Sequence, residues 1–164
     1  MKLNQLFTWL LVVIIFLFTT FAIPQSAEAL IRQQQETPEQ ILYQSRHTLR
    51  DDRGNSWQVV LFKRVNQGKV KEIDLRLVGF PGTVEFAHPQ DLKTIDQGNV
   101  LTASDRFTDK SPSPNVGQFD LEKILPQLLT QQTLTLDLPL KNSASTIKVL
   151  FPVILEWQEI AQSY

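Results

Sequence analysis

His47 and His88 are the two histidines of the chain, and with no cysteine present they are the side chains best suited to hold a metal or move a proton near neutral pH. A transition-metal site takes roughly three or four ligands. The two imidazoles would therefore have to converge and recruit a carboxylate such as Asp91. Both fall inside segments that read as strands, and each is expected to be an ordinary sheet side chain. Asp51-Asp52-Arg53-Gly54-Asn55 has the acidity of a calcium loop. An EF-hand, however, spreads oxygen ligands over about twelve residues and ends in a bidentate Glu. Arg53 would put a positive charge beside the ion and Trp57 resumes a strand too early, so these residues are assigned to a turn.

Nucleophilic chemistry finds no better footing. No Gly-x-Ser-x-Gly elbow is present, and Ser104-Asp105 has no base near it in sequence. Glu72, Asp74 and Glu85 could in principle pair for glycoside hydrolysis, but they occupy alternating polar positions where solvated charges belong. No catalytic, cofactor-binding or metal residue is assigned, no cofactor or metal is expected, and the preferred reading is not an enzyme. The recognition candidates are Gly79, Phe80, Pro81 and Gly82, because an aromatic held between two glycines can stand on a tight exposed turn. In the competing reading Phe80 packs over the end of the sheet and the glycines only permit the turn. Trp57, Phe62 and Trp157 lie in strand or helix patterns and read as core.

The elements that would carry these residues begin after a leader. Lys2, a nearly unbroken apolar run over 6–23, Pro24 and Ala27-Glu28-Ala29 follow the order of an export signal. The run approaches the roughly 20 residues that span a bilayer, so an uncleaved anchor is the alternative. The body has the size of one domain and can bury a core without disulfides. A formal charge of -1 and a pI near 6.1 offer no basic field for nucleic acid.

Residues 1–29 are thus a signal peptide or uncleaved anchor, 30–40 a polar spacer with N-cap and first-turn chemistry at Thr37-Pro38, and 41–164 a single domain. Two-residue alternation predicts strands over 42–50, 56–65, 70–78, 83–88, 134–140 and 146–151, with a weaker pair over 92–95 and 99–103. In the third of these Ile73, Leu75 and Leu77 face one way, while Glu72, Asp74 and Arg76 face water. The stretch 108–117 reads as an exposed loop. Helical spacing marks 119–131, disturbed by Pro126, and 152–162. The fold class is α+β: a single domain with a mainly antiparallel twisted sheet and two helices packed on it, preceded by the signal or anchor helix.

Several segments together resemble a small family of cyanobacterial exported proteins described as a domain of unknown function. They are Ala29-Leu30-Ile31-Arg32, Asp51-Asp52-Arg53-Gly54-Asn55-Ser56-Trp57-Gln58, Leu75-Arg76-Leu77-Val78-Gly79-Phe80-Pro81-Gly82 and Pro152-Val153-Ile154-Leu155-Glu156-Trp157. The resemblance covers nearly the whole body and brings no catalytic motif. It implies the periplasm or thylakoid lumen of a photosynthetic bacterium, with membrane anchoring if the leader is retained. The expected function is an exported, non-enzymatic accessory or binding domain that assists a membrane or photosynthetic protein complex. The alternatives are a lipid or pigment carrier with a pocket between sheet and helices and, less favoured, a hydrolase. The expected partner is a protein or membrane complex outside the cytoplasm, and nucleic acid is not one. Cleavage is expected after Ala29, and intact-mass measurement of the native protein checks it: a chain that still begins at Met1 or Lys2 is anchored.

Overall fold

The computed structural model describes residues 31–96, 98–108, 111–128 and 132–163. The leader and the last residues of the helix expected over 119–131 lie outside them. The chain enters the sheet at β1 (Arg32–Thr37), turns through Pro38 and Glu39, and returns as β2 (Gln40–Arg50). β3 (Ser56–Asn66) pairs with β2 in unbroken register, from Gln40 opposite Asn66 to Arg50 opposite Ser56. A two-residue turn with Gln67 at φ 49° and Gly68 at φ 72° then leads into β4 (Lys69–Val78). Left-handed backbone at both turn positions matches the twist of the strands it joins, which is why a glycine stands at the second.

The second half adds β5 (Leu92–Asp96), β6 (Asn99–Asp105), β7 (Val116–Asp120), the short α1 (Leu125–Leu128), β8 (Thr133–Asp137), β9 (Thr146–Leu150) and the long α2 (Phe151–Gln162). Among the described residues the nine strands form one antiparallel open sheet in the order β1-β2-β3-β4-β7-β6-β5-β8-β9. The sheet curls until β9 comes back to the end of β2. They meet at a single bridge, Asp51 with Ile147, beside a hydrogen bond from Asp52 N to Thr146 O of 3.0 Å.

Helix α2 lies across the concave face and fills it with Val153, Ile154, Trp157 and Ile160. Against these pack Trp57, Leu61 and Leu75 from the strands. Lys63, itself buried, donates from Nζ to the carbonyl oxygens of Ala161 and Ser163, placing a cation at the helix C-terminus where the backbone dipole favours one. No helix among the described residues is long and apolar enough to cross a membrane.

The α+β architecture expected from the pattern is present, with differences that have local causes. The stretch expected as a polar spacer forms β1 instead. All six of its residues are exposed, so its pairing with β2 rests on backbone bonds and leaves no apolar period to read. The strand expected over 83–88 shrinks to one bridge, Phe86 with Leu140, and leaves His88 in a loop.

The loop expected over 108–117 ends in an interior strand, where Leu75 pairs with Phe119 and Asp74 with Asp120. Helix α1 therefore begins only at Leu125, with Pro126 in its first turn, where a missing N–H costs little. Asp74 was expected on a wet face and is instead fully buried. Its carboxylate accepts from Arg106 Nε at 3.0 Å and from Gln118 Nε2 at 2.6 Å. Burial pushes this carboxyl up, against the pull of Arg106 and Gln118. The convex side of the sheet is consequently a second, thinner packed layer, with Phe62 beneath the guanidinium groups of Arg64 and Arg76 at 5.1 and 5.3 Å.

The corner where β2 meets β9 is held by Asp51. Burial pushes its carboxyl up, but hydrogen bonds from Trp57, Asn55 and Ser145 outweigh burial and hold the pKa at about 2, below the ordinary 3.8. A carboxyl whose proton affinity falls on folding favours the folded state wherever it is ionised. This contribution, about 2 kcal/mol, is complete above the unfolded value and disappears as the pH falls from about 5 to 2. Denaturant unfolding of the wild type and Asp51→Asn at pH 7 and at pH 2 checks this. The stability gap between the two proteins is expected to narrow by about 2 kcal/mol at the lower pH.

Candidate functional site

Beyond Val78 the chain leaves the sheet through Gly79-Phe80-Pro81-Gly82, and the packing beneath Gly79 decides where Phe80 goes. A Cβ on Gly79 would collide with Val84 and come within 2.9 Å of the Trp57 ring, so only glycine lets the backbone lie this close to the indole. Asn115 fastens the same residue from the other side. Gly79 N donates to Asn115 O at 3.0 Å, and Asn115 Nδ2 donates to Gly79 O at 2.8 Å. The turn closes when Thr83 N and Thr83 Oγ1 both donate to Phe80 O, at 3.2 and 2.8 Å, with Gly82 at φ 79°. With its backbone tied down on every side, Phe80 projects outward and remains 69% exposed. Trp57, whose edge supports the turn, is in turn oriented by Asp51, to which Trp57 Nε1 donates at 3.0 Å.

Two open clefts flank the tip. One of about 520 Å³ runs along Thr83, Val84 and Glu85 towards Ser113, Pro114 and Asn142. Lys141 and Glu85 form an ion pair beside it. The other, about 360 Å³, lies between Phe80 and the strand residues Thr48, Gln58 and Val78. Its lining carries no charged side chain. Asn115 and Trp57 are the supporting residues that sequence reasoning missed in this role. Asn115 sat in a stretch read as loop, and the run Ser111-Pro112-Ser113-Pro114 before it was the available signal of a loop built to hold one shape.

The other candidate residues are placed apart. His47 lies on the concave side of β2, and its Nε2–H donates to Glu156 Oε2 at 2.6 Å. Ser45 Oγ donates to the same oxygen at 2.6 Å. A catalytic triad needs the imidazole between hydroxyl and carboxylate. Here the carboxylate stands between the other two, and the cluster pins α2 to β2.

His88 donates from Nδ1 to Asp105 Oδ2 at 2.5 Å, stacks on Phe86 with ring centroids 6.0 Å apart, and meets the edge of Phe107 at 5.6 Å. Among the described residues its buried Nε2 has no hydrogen-bond partner, and none of them places a hydroxyl where a nucleophile would have to be. Asp91 accepts from Asp105 N at 3.2 Å. The two histidines have different partners, and no group of three His, Cys, Asp or Glu side chains capable of holding a metal occurs among the described residues. Asp51 to Asn55 form the turn expected of them, with the Asp51 carboxylate accepting from Arg53 N at 3.0 Å and from Asn55 N at 2.7 Å.

The arrangement suits surface contact: one rigidly mounted aromatic between two concave patches. No curated protein and no solved structure matches the chain. The model of one family, described as "Protein of unknown function (DUF3122)", matches residues 29–160, and the chain belongs to that family.

Proposed function

We propose that this protein is an exported, non-enzymatic accessory domain that binds a protein or membrane-embedded complex outside the cytoplasm through the Gly79 to Gly82 tip. The observation that carries the reading is Phe80, exposed on a turn whose backbone is fixed by Asn115, Thr83 and the Trp57 ring. A large aromatic costs free energy to leave in water, and one held rigid loses little conformational entropy on binding, which is the economy of an interface anchor. Export to a periplasm or thylakoid lumen is supported by the leader pattern of residues 1–29 and by the resemblance to cyanobacterial exported proteins. Service to a photosynthetic complex belongs to the same reading.

The carrier alternative draws less support. The space between sheet and α2 is occupied by Trp157, Ile160 and Leu61, each at most 1% exposed.

The test separates packing from binding. Phe80→Ala is expected to change stability by no more than about 0.5 kcal/mol, as a surface substitution does. Retention of the complex that wild-type protein carries out of its native membranes is expected to weaken by about 2 kcal/mol or more. A loss of stability of about 3 to 5 kcal/mol would mark Phe80 as core, and undiminished retention would remove the tip from the interface.

A further inference from the structure

Phe80 does not stand alone at the end of its strand. Ile73, Leu75 and Leu77 of β4 face the core, so alternation turns Asp74, Arg76 and Val78 to the convex side, and Phe80, just past the strand end, lines a cleft together with Val78. On β2, Ser45 and His47 touch Glu156 of α2, which sends Arg46, Thr48 and Arg50 to that convex side as well. Register aligns these residues in rows. Arg46 lies opposite Val60 and Val60 opposite Arg76; Thr48 lies opposite Gln58 and Gln58 opposite Val78; Arg50 lies opposite Ser56.

The cleft of about 360 Å³ beside Phe80 is lined from the middle of these rows, by Thr48, Gln58 and Val78. Arg46 and Arg76 stand in the next row to one side, their Cα atoms about 10 Å apart across two strand spacings, with the Arg76 guanidinium resting over Phe62. Arg50 stands in the next row to the other side, its Cα about 13 Å along β2 from that of Arg46.

All three arginines are exposed. None has a carboxylate partner among the described residues: Arg50 donates to Gly54 O at 2.8 Å and Arg76 to Gln118 Oε1 at 3.0 and 2.6 Å. The carboxylates of the same face are already engaged, Glu36 and Glu72 by Arg64, Asp74 and Asp120 by Arg106. A neutral cleft with an exposed aromatic at its rim, flanked by arginines that have no carboxylate partner among the described residues, thus sits on a chain whose formal charge is -1.

We infer that the partner is an acidic protein segment, with an apolar side chain entering the cleft beside Phe80 and flanking carboxylates received by Arg46, Arg50 and Arg76. The inference rests on the proposed recognition role of the tip and adds the chemistry of what is recognised. Guanidinium forks match carboxylates in bidentate geometry. The concavity decides between a protein and a lipid surface, because a protruding side chain fills a cleft that a bilayer of headgroups leaves empty.

The experiment uses isotope-labelled protein produced from the full coding sequence in an export-competent host and followed by NMR. It is titrated with a synthetic peptide carrying one leucine flanked by aspartate and glutamate, with the same peptide in asparagine and glutamine, and with phosphatidylglycerol vesicles. The acidic peptide is expected to shift the side-chain signals of Arg46, Arg50, Arg76 and Phe80, more weakly as salt is raised. The variant Arg46→Gln, Arg50→Gln, Arg76→Gln is expected to bind it about tenfold more weakly or worse. Because Arg76 also covers Phe62, the double variant Arg46→Gln, Arg50→Gln is measured beside it and is expected to lose affinity severalfold with a wild-type spectrum elsewhere.

Shifts that map elsewhere, equal binding of the amide peptide, or binding of vesicles in place of the peptide would overturn the inference. If Phe80→Ala keeps full affinity while the arginine variants lose it, the carboxylate inference stands and the role of Phe80 falls. If Phe80→Ala loses affinity and the arginine variants keep it, the tip stands and the inference falls.

Discussion

A single buried carboxylate, that of Asp51, sets the geometry on which the rest depends. It accepts from the backbone of Arg53 and Asn55, from the indole of Trp57 and from Ser145 Oγ, and so joins the turn after β2 to the segment before β9. Those segments are far apart in sequence, and their union closes the corner of a sheet that is otherwise open. Backbone amide, indole and hydroxyl donors around one anion also explain why ionisation survives burial there. Asp51 fixes Trp57, the Trp57 ring limits Gly79 to a residue without a side chain, and the turn above it can then present Phe80 only outward. Phe86 packs against the indole in a T-shaped arrangement, with ring centroids 5.8 Å apart.

The same economy recurs on both faces of the sheet. Glu156 would be costly inside a helix that packs on a core, yet Ser45 and His47 meet it, and this polar contact specifies where along β2 the helix must sit. Lys63 repeats the device at the other end of α2. On the convex face Asp74 and Arg106 tie β4 to the end of β6, and arginine side chains lie over Phe62 in place of a covering element. Apolar burial holds the molecule together, while these paired polar groups select one arrangement of helix and strands.

Where a segment's surroundings are local, its structure was legible. The run from Ile73 to Leu77 alternates because one face meets the core, and α2 follows from its proline start and apolar stripe. β1 was illegible because a strand exposed on both sides imposes no pattern on its side chains. β7 was missed because it contains Gly117, a position where a Cβ would come within 2.8 Å of Phe86 and Phe119, so the demand for close packing left a residue that reads as loop. Asp74 alternated like a surface residue, since its partner Arg106 arrives from 32 positions away in the sequence. The candidate tip was legible as residues but not as a surface. Whether Phe80 points in or out depends on Trp57, Val84 and Asn115, which only the fold brings to Gly79.

The central claim is therefore a chain of contacts from the Asp51 carboxylate through the Trp57 indole to the backbone of Gly79. Residue-resolved hydrogen exchange in the wild type and in Asp51→Ala tests it most directly. The account predicts that the Trp57 indole N–H and the Gly79 amide, which donates to Asn115, lose protection together while amides in the middle of β3 and β4 keep theirs. A Gly79 amide that retains wild-type protection after the indole has been freed would contradict it.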